Sequence, residues 1–450
     1  LPVAPDRPRY RFDVTADPAT HRLHVRQAIA LADPVRLQTG EIVFNVPTNG
    51  MTGVFALEAV RLALSPLQTE AADLLQPAAV LLEDSTLRVR LPTAATRAAI
   101  LTVCLDYAVH LPPAGHEGIS AIHALGWSEL GMIAGYWYPV LAPYVAAATR
   151  GGGRWLITPY HPVGDPIVYE TADYEVTVRA PTSHQVIAAG LTDAQQGVWR
   201  FRLDRARGFA FAVSDRLMAS QADVQGISVR VYHLPEHDVA AQAALRGVQE
   251  ALPLFVQAYG PYPYAELLIV EAVQFGGMEY SALMTFSRDW FAAYQPPSSD
   301  AGFGADLLVR FVVHELGHQW WYGVVGNDQA HEPWLDEGLA RYGEVFYYET
   351  LHPAHLAWWE APSRDMPTLP INQPIYHFSD TTTYVQAAYV SSTRFWLDVR
   401  RLMGPAAFTG FVQTYRERYQ DRLAHEAEVL ALLRDRLGPA LDRLLSVYFR

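Results

Sequence analysis

Apolar residues change their spacing once along this chain, and that change limits the folds open to it. From Arg9 to about His233 they alternate with polar ones. Tyr10-Arg11-Phe12-Asp13-Val14, His21-Arg22-Leu23-His24-Val25-Arg26 and Leu87-Arg88-Val89-Arg90-Leu91 follow this rule. So do Tyr174-Glu175-Val176-Thr177-Val178-Arg179, Trp199-Arg200-Phe201-Arg202-Leu203 and Ile227-Ser228-Val229-Arg230-Val231-Tyr232. A period of two puts one face of a strand in a core and the other in water. Residues 1–233 are therefore expected to form an antiparallel, β-rich, sandwich-like domain. From about Pro235 the spacing becomes helical. Residues 239–259 read as an amphipathic helix with Leu245, Val248, Leu252 and Val256 inward, ended by Gly260-Pro261-Tyr262-Pro263. A short strand is expected at 267–272, and helices at about 384–403, 405–419, 424–437 and 439–448. Residues 234–450 thus read as a second domain, of mixed α and β structure.

Inside that second domain stands His314-Glu315-Leu316-Gly317-His318, the pattern H-E-x-x-H. On a helix the two histidines are i and i+4, so both rings leave one face. Two neutral imidazoles so placed can bind Zn²⁺, and the intervening Glu315 can take a proton from water activated by the metal. A catalytic zinc needs a third protein ligand and an open position. Glu337 follows, with eighteen residues between it and His318, in Trp334-Leu335-Asp336-Glu337-Gly338-Leu339-Ala340. Leu335, Leu339, Tyr342 and Phe346 make one apolar stripe there, so a second helix can bring Glu337 to the same ion. One Zn²⁺ per chain on His314, His318 and Glu337 is the reading. The pattern alone is short enough to arise by chance; the apolar helix around it and the spaced carboxylate raise it above that.

Other features narrow the function. The net charge is −13, with no lysine among the basic residues, which argues against a nucleic-acid partner. Cys104 is the single cysteine, so there is no internal disulfide, and its apolar run suggests a buried strand thiol rather than a nucleophile. The uncharged stretch 132–149 is long enough to span a membrane, but Pro139 and Pro143 favour a buried irregular segment, and no membrane span is expected. Gly151-Gly152-Gly153 reads as a loop, not a phosphate cradle. Gly276-Gly277-Met278-Glu279 follows the 267–272 strand; a Gly-Gly pair at an edge strand admits a ligand backbone, although on its own it reads as a plain turn. His331 lies near the metal motif but has no ligand spacing. The chain begins at Leu1 without Met, which favours a processed, extracytoplasmic protein and leaves a cytoplasmic one open.

Taken in order, these motifs resemble the zinc aminopeptidase family of aminopeptidase N and leukotriene hydrolase, which are gluzincin metallopeptidases. His314 to His318 with Glu337 matches the family's H-E-x-x-H-x18-E signature, and Gly277-Met278-Glu279 matches its G-x-M-E-N exopeptidase motif. The segment Tyr384 to Tyr389 resembles the region of the family's catalytic tyrosine and implies that role for Tyr389, with Tyr384 as the rival. The resemblance implies a thermolysin-like α+β zinc catalytic domain over 234–450. It implies an enzyme that removes N-terminal residues from peptides, with Glu315 as base. Glu279 would hold the substrate's free α-ammonium, and Gly276, Gly277 and Met278 its backbone. There are departures. Tyr280 stands where the family has Asn, Val390-Ser391-Ser392 replaces the residues that usually follow the tyrosine, and no substrate-binding glutamine can be placed in the β domain. No large C-terminal helical domain is expected. The rival readings are a zinc endopeptidase or other hydrolase on the same metal, and a non-catalytic scaffold, although neither ligands nor base are lost.

Overall fold

The computed structural model of the chain describes residues 7–64, 76–115, 124–145, 153–295 and 307–450. The Gly151-Gly152 loop, the first residues of the chain and the end of the 132–149 stretch lie outside them. The chain divides into two compact units, and the first takes in Leu1–Ala114, Ala124–Tyr160 and Ile167–Asp215. Its main sheet has eight strands, in the order Leu191–Gln195, Val198–Ala206, Ala172–Arg179, Arg9–Asp17, Arg22–Leu31, Leu101–His110, Phe55–Ala63 and Gln76–Pro77. Every pairing is antiparallel except that of Arg9–Asp17 with Ala172–Arg179, which is parallel. Alternation is carried into burial: Ala172, Tyr174, Val176 and Val178 are buried while the residues between them are not. Each alternating run named above falls in a strand, apart from the end residues His21 and Leu91, which lie one position outside. Cys104 sits in Leu101–His110, but half-buried rather than sealed, and burial pushes its thiol up to about 11. The described part of the 132–149 stretch is short strands and irregular chain. Among the described residues no helix is long and apolar enough to cross a membrane.

The second unit takes in His161–Pro166 and Arg216–Arg450. It therefore starts before residue 234. The hairpin Met218–Val224 with Ile227–His233 alternates like the strands before it, yet Ile227–His233 pairs in parallel with Glu266–Ala272 and so belongs to the second unit's sheet. That sheet continues through Leu283–Ser287, also parallel, to the two-residue edge strand Gly277–Met278. The helix Asp238–Tyr259 makes the crossover between the first two parallel strands; Leu245, Val248 and Leu252 are buried on its inner face. Gly260 ends it at φ 104°, a conformation that glycine takes without the steric penalty of a side chain.

Beyond the sheet, Leu307–His318 and Asp336–Leu351 pack side by side, joined to one apolar core through Leu308, Val312, Leu316, Leu335, Leu339 and Tyr342. Gly317 sets how close they come. A Cβ at that position would stand 3.1 Å from the Ala340 Cα, so only a bare backbone lets the helices approach this far. Helices Ser392–Met403, Pro405–Tyr419, Glu426–Leu437 and Ala440–Tyr448 complete the unit near the expected bounds. The expected helix through 384–403 differs in one turn: Val385–Ser391 is π-helical.

Burial differs sharply along Asp336–Leu351, since Leu339 is 0% and Leu351 41% exposed. Leu339→Ala should cost about 2–5 kcal/mol in urea unfolding, and Leu351→Ala less than about 0.5 kcal/mol. Equal effects would contradict this packing.

Candidate functional site

The pairing of Leu307–His318 with Asp336–Leu351 brings three ligand atoms together. His314 Nε2 lies 3.2 Å from His318 Nε2 and 3.2 Å from Glu337 Oε2, and His318 Nε2 lies 3.3 Å from Glu337 Oε2. A tetrahedral metal site with bonds of about 2.0–2.1 Å has ligand-to-ligand edges of roughly 3.3–3.4 Å. The three atoms thus form one face of such a site, and all three side chains are buried. The far ring nitrogens fix the tautomers. His318 Nδ1 meets the Trp321 carbonyl at 3.0 Å and His314 Nδ1 meets Glu344 Oε1 at 2.8 Å. Both partners only accept, so Nδ1 carries the proton and Nε2 presents its lone pair.

Charge points the same way. Burial alone would raise the Glu337 carboxyl, but the His318 charge and hydrogen bonds to both imidazoles outweigh it and hold the group down to about 2. Burial alone would lower His314, but its bonds to Glu337 and Glu344 push it up to about 9. The remaining acids lack such partners. Burial, helped by the charges of Glu279 and Glu337, pushes Glu315 up to about 8 against the pull of the two histidines. Burial and the Glu337 charge push Asp336 up to about 7. Burial also raises Glu279 and Asp165, each worsened by neighbouring carboxylates. The cluster has more acids than its imidazoles can hold ionised. A divalent cation at the Nε2, Nε2, Oε2 face is the charge that it lacks.

The other expected residues gather at the same place. A cleft of about 300 Å³ is lined by His314, His318, Glu337, Glu315, Glu279, Gly276, Gly277, Met278 and Tyr389. Glu315 lies against the edge strand: a Cβ at Gly277 would stand 2.5 Å from its Oε1. Gly276 has φ 76° with open space around it. Glu279 follows the strand and accepts a long 3.4 Å hydrogen bond from Gln329. The Tyr389 hydroxyl donates to Glu337 Oε1 at 2.6 Å, and its ring stacks on His314 at 5.7 Å. Burial and the Glu337 charge push its pKa well up, so it stays a neutral donor. Tyr384 is fully buried beside Gly164 and does not line the cleft. His331 pairs with Asp328 at 2.9 Å and stays out of the metal cluster.

Four charged cleft residues were not expected. Glu344 lies seven residues beyond Glu337, two turns along the same helix face, and takes hydrogen bonds from His314, Arg310 (2.7 Å) and the Trp359 indole. Arg310 precedes His314 by four and Arg341 follows Glu337 by four, so helical spacing from the ligands could have marked all three. Asp165, in the short segment 161–166, has no such signal.

If Glu344 orients His314, Glu344→Gln should weaken divalent-metal binding about 10–100-fold. Competition with a chromogenic chelator measures it, and unchanged affinity would remove that role.

Comparisons with known proteins agree with this geometry. The Peptidase family M1 domain matches residues 243–448. Endoplasmic reticulum aminopeptidase 1 of Homo sapiens is 29% identical over 147 residues, covering 32% of this chain and 15% of that protein. Aminopeptidase M1-B of Oryza sativa subsp. japonica is 25% identical over 243 residues, covering 50% of this chain and 27% of that one. The chain thus matches well under half the length of these curated relatives. Among solved structures, the M1 zinc metallopeptidase from Deinococcus radiodurans superposes with a TM-score of 0.64 at 19% identity, over 99% of this chain and 95% of that one. A two-domain M1 zinc metallopeptidase bound to L-arginine gives 0.64 at 18%, over 99% and 94%. These two similarities speak for the fold. The motif, the family match over residues 243–448 and the fold thus agree in what this chain is similar to: peptidase family M1, in its aminopeptidase N type of gluzincin.

Proposed function

We propose that this chain is a zinc-dependent aminopeptidase that removes N-terminal residues from peptides, and that its second unit is a thermolysin-like catalytic domain. The observation that carries the reading is the position of Glu279 and Asp165. Two buried carboxylates share one cleft with the three-ligand cluster and with Glu315. A carboxylate pair in the same cleft as the three ligands suits a substrate ammonium, and an ammonium held there would confine cleavage to the N-terminal end of a peptide.

Bound to His314, His318 and Glu337, Zn²⁺ would supply Lewis acidity at the scissile carbonyl and lower the pKa of the attacking water. Glu315 accepts the proton of that water and delivers it to the leaving amine. Its placement against Gly277 holds the carboxylate beside the strand along which a peptide would lie. Glu279 pairs with the α-ammonium and sets the register. Gly276 and Gly277 offer an edge strand whose backbone can pair with an extended peptide. Tyr389, neutral and beside Glu337, supplies a hydroxyl donor for charge that develops on the carbonyl oxygen. Glu344 and the Trp321 carbonyl hold the Nδ1 protons of the two histidines, which leaves both Nε2 atoms facing the metal position.

Two measurements test this. Peptides with free and with acetylated N-termini would be digested by the zinc-loaded protein and read by mass spectrometry. Stepwise loss of single residues from the free form only is expected; internal cuts in both forms would make it an endopeptidase. Glu315→Gln should retain zinc and lower kcat about 10²–10⁴-fold, and wild-type turnover would rule out Glu315 as the base.

Gly277→Ala separates position from presence. A Cβ there would also stand 2.9 Å from Glu315 Cδ, so the base must swing away while the fold has little to lose. A fall in kcat of about 10²-fold with an unchanged melting temperature is expected. Full activity in that variant would show that the contact between Gly277 and Glu315 does not position the base.

A further inference from the structure

The cleft has two electrically different ends. The segment that follows Glu279 is held at the His318 end of Leu307–His318, where Gln319 donates to the Tyr280 carbonyl and accepts from the Ala282 amide, while Arg310 sits one turn before His314, roughly 6 Å further along the helix axis. Arg341 joins Arg310 at that second end. Both line the cleft, and the Trp359 ring lies under both guanidinium groups, 4.9 Å from Arg341 and 5.6 Å from Arg310. The two arginines differ in their partners. Arg310 is paired with Glu344 at 2.7 Å. Arg341 is only 7% exposed, its Nε has no hydrogen-bond partner, and no ion pair to it is found among the described residues.

Glu344 cannot serve both. Its Oε1 is taken by His314, and its Oε2 by Arg310 and the Trp359 indole. Among the described residues no other carboxylate forms an ion pair with Arg341. Arg394, nearby, spends its guanidinium on the carbonyls of Ser363 and Met366, both at 2.7 Å. Arg310 and Arg341 therefore share one saturated carboxylate, and Arg394 adds a further positive charge near Arg341. Burial, resisted by Glu344 and reinforced by Arg310 and Arg394, holds Arg341 down to about 10, so it remains a cation at neutral pH.

We propose that Arg341 receives a carboxylate carried by the residue that follows the scissile bond. With the ammonium at Glu279 and the first peptide bond at the metal cluster, the second residue of the substrate extends toward Arg310 and Arg341. A guanidinium fork is the donor suited to a carboxylate, and a desolvated one discriminates strongly. Two sources share this chemistry: the C-terminal carboxylate of a dipeptide and an acidic side chain in the second position. The proposal rests on the aminopeptidase reading for the direction of the peptide, and its test is built to fail separately.

Equilibrium binding would be measured by calorimetry on zinc-loaded Glu315→Gln protein, where turnover does not interfere. Ala-Ala against Ala-Ala amide reports the terminal carboxylate, and Ala-Asp amide against Ala-Asn amide reports the side chain. At least about tenfold tighter binding of the carboxylate member is expected in one pair, which identifies the source. Adding Arg341→Gln should bring that ratio to about one, and Arg341→Lys should restore part of it. No preference in either pair, or a preference that survives Arg341→Gln, overturns the proposal. Hydrolysis of the same peptides by the wild-type protein tests the aminopeptidase reading alone. Cleavage without a carboxylate preference would sink only the role of Arg341.

Discussion

Burying six carboxylates with two imidazoles and two guanidinium groups is the condition that the helical unit has to meet. Asp165, Glu279, Glu315, Asp336, Glu337 and Glu344 are all buried, as are His314, His318, Arg310 and Arg341. A buried unpaired charge costs several kcal/mol, so each group must find a partner, shift its protonation or await a ligand. Glu344 does the first most completely, with three donors on two oxygens. Glu337 does it through the imidazoles that share its metal face. Glu315, Glu279, Asp336 and Asp165 do the second, with pKa values raised by burial and by one another. A positive ligand lets such acids ionise, which makes a dication favourable at one point and an ammonium favourable beside it.

Holding such a cluster needs backbones that come unusually close. Three small residues permit it. Gly317 lets the helix of His314 meet the helix of Glu337, and Gly338 lets the latter meet Ser392 and Trp396, whose atoms a Cβ would approach to 2.9 Å. Gly277 admits Glu315 to the edge strand. Aromatic packing then fixes what the glycines allow: Trp334, Trp396 and Phe395 stack in one group behind the Glu337 helix. Preorganisation of the cleft is thus a consequence of core packing, and the polar groups inherit their positions from it.

Much of this was legible because helical geometry converts spacing into direction. His314 and His318 had to share a face, and the apolar stripe of Leu335, Leu339 and Tyr342 told which way Glu337 would point. Glu344, Arg310 and Arg341 obey the same arithmetic and went unread only because no motif drew attention to them. What spacing could not reach has a different cause. Tyr389 lies in a π-helical turn, where a repeat of 3.6 residues misplaces side chains. Asp165 comes from six residues inside the β-rich half of the chain that belong to the second unit, a long-range contact without a local pattern. The hairpin Met218–His233 misled for the opposite reason. Its alternation is real, but alternation says only that one face is buried, not in which sheet.

The acidic and basic ends of the cleft also explain each other. Were Glu279 and Asp165 near Arg341, they would neutralise it and neither end would select a ligand. They are kept apart by the metal cluster itself, with Glu344 locked on the arginine side of His314 and Glu279 on the side of His318. An ion held by His314, His318 and Glu337 would stand between the two ends, leaving each with its own sign for a ligand that spans both. A neutral peptide in its zwitterionic form carries an ammonium and a carboxylate in that order, and a charge arrangement of this kind reads direction as well as length. The unpartnered Arg341 then has a physical reason to persist. Its desolvation is partly offset by the Trp359 face, and the rest remains available for a bound carboxylate.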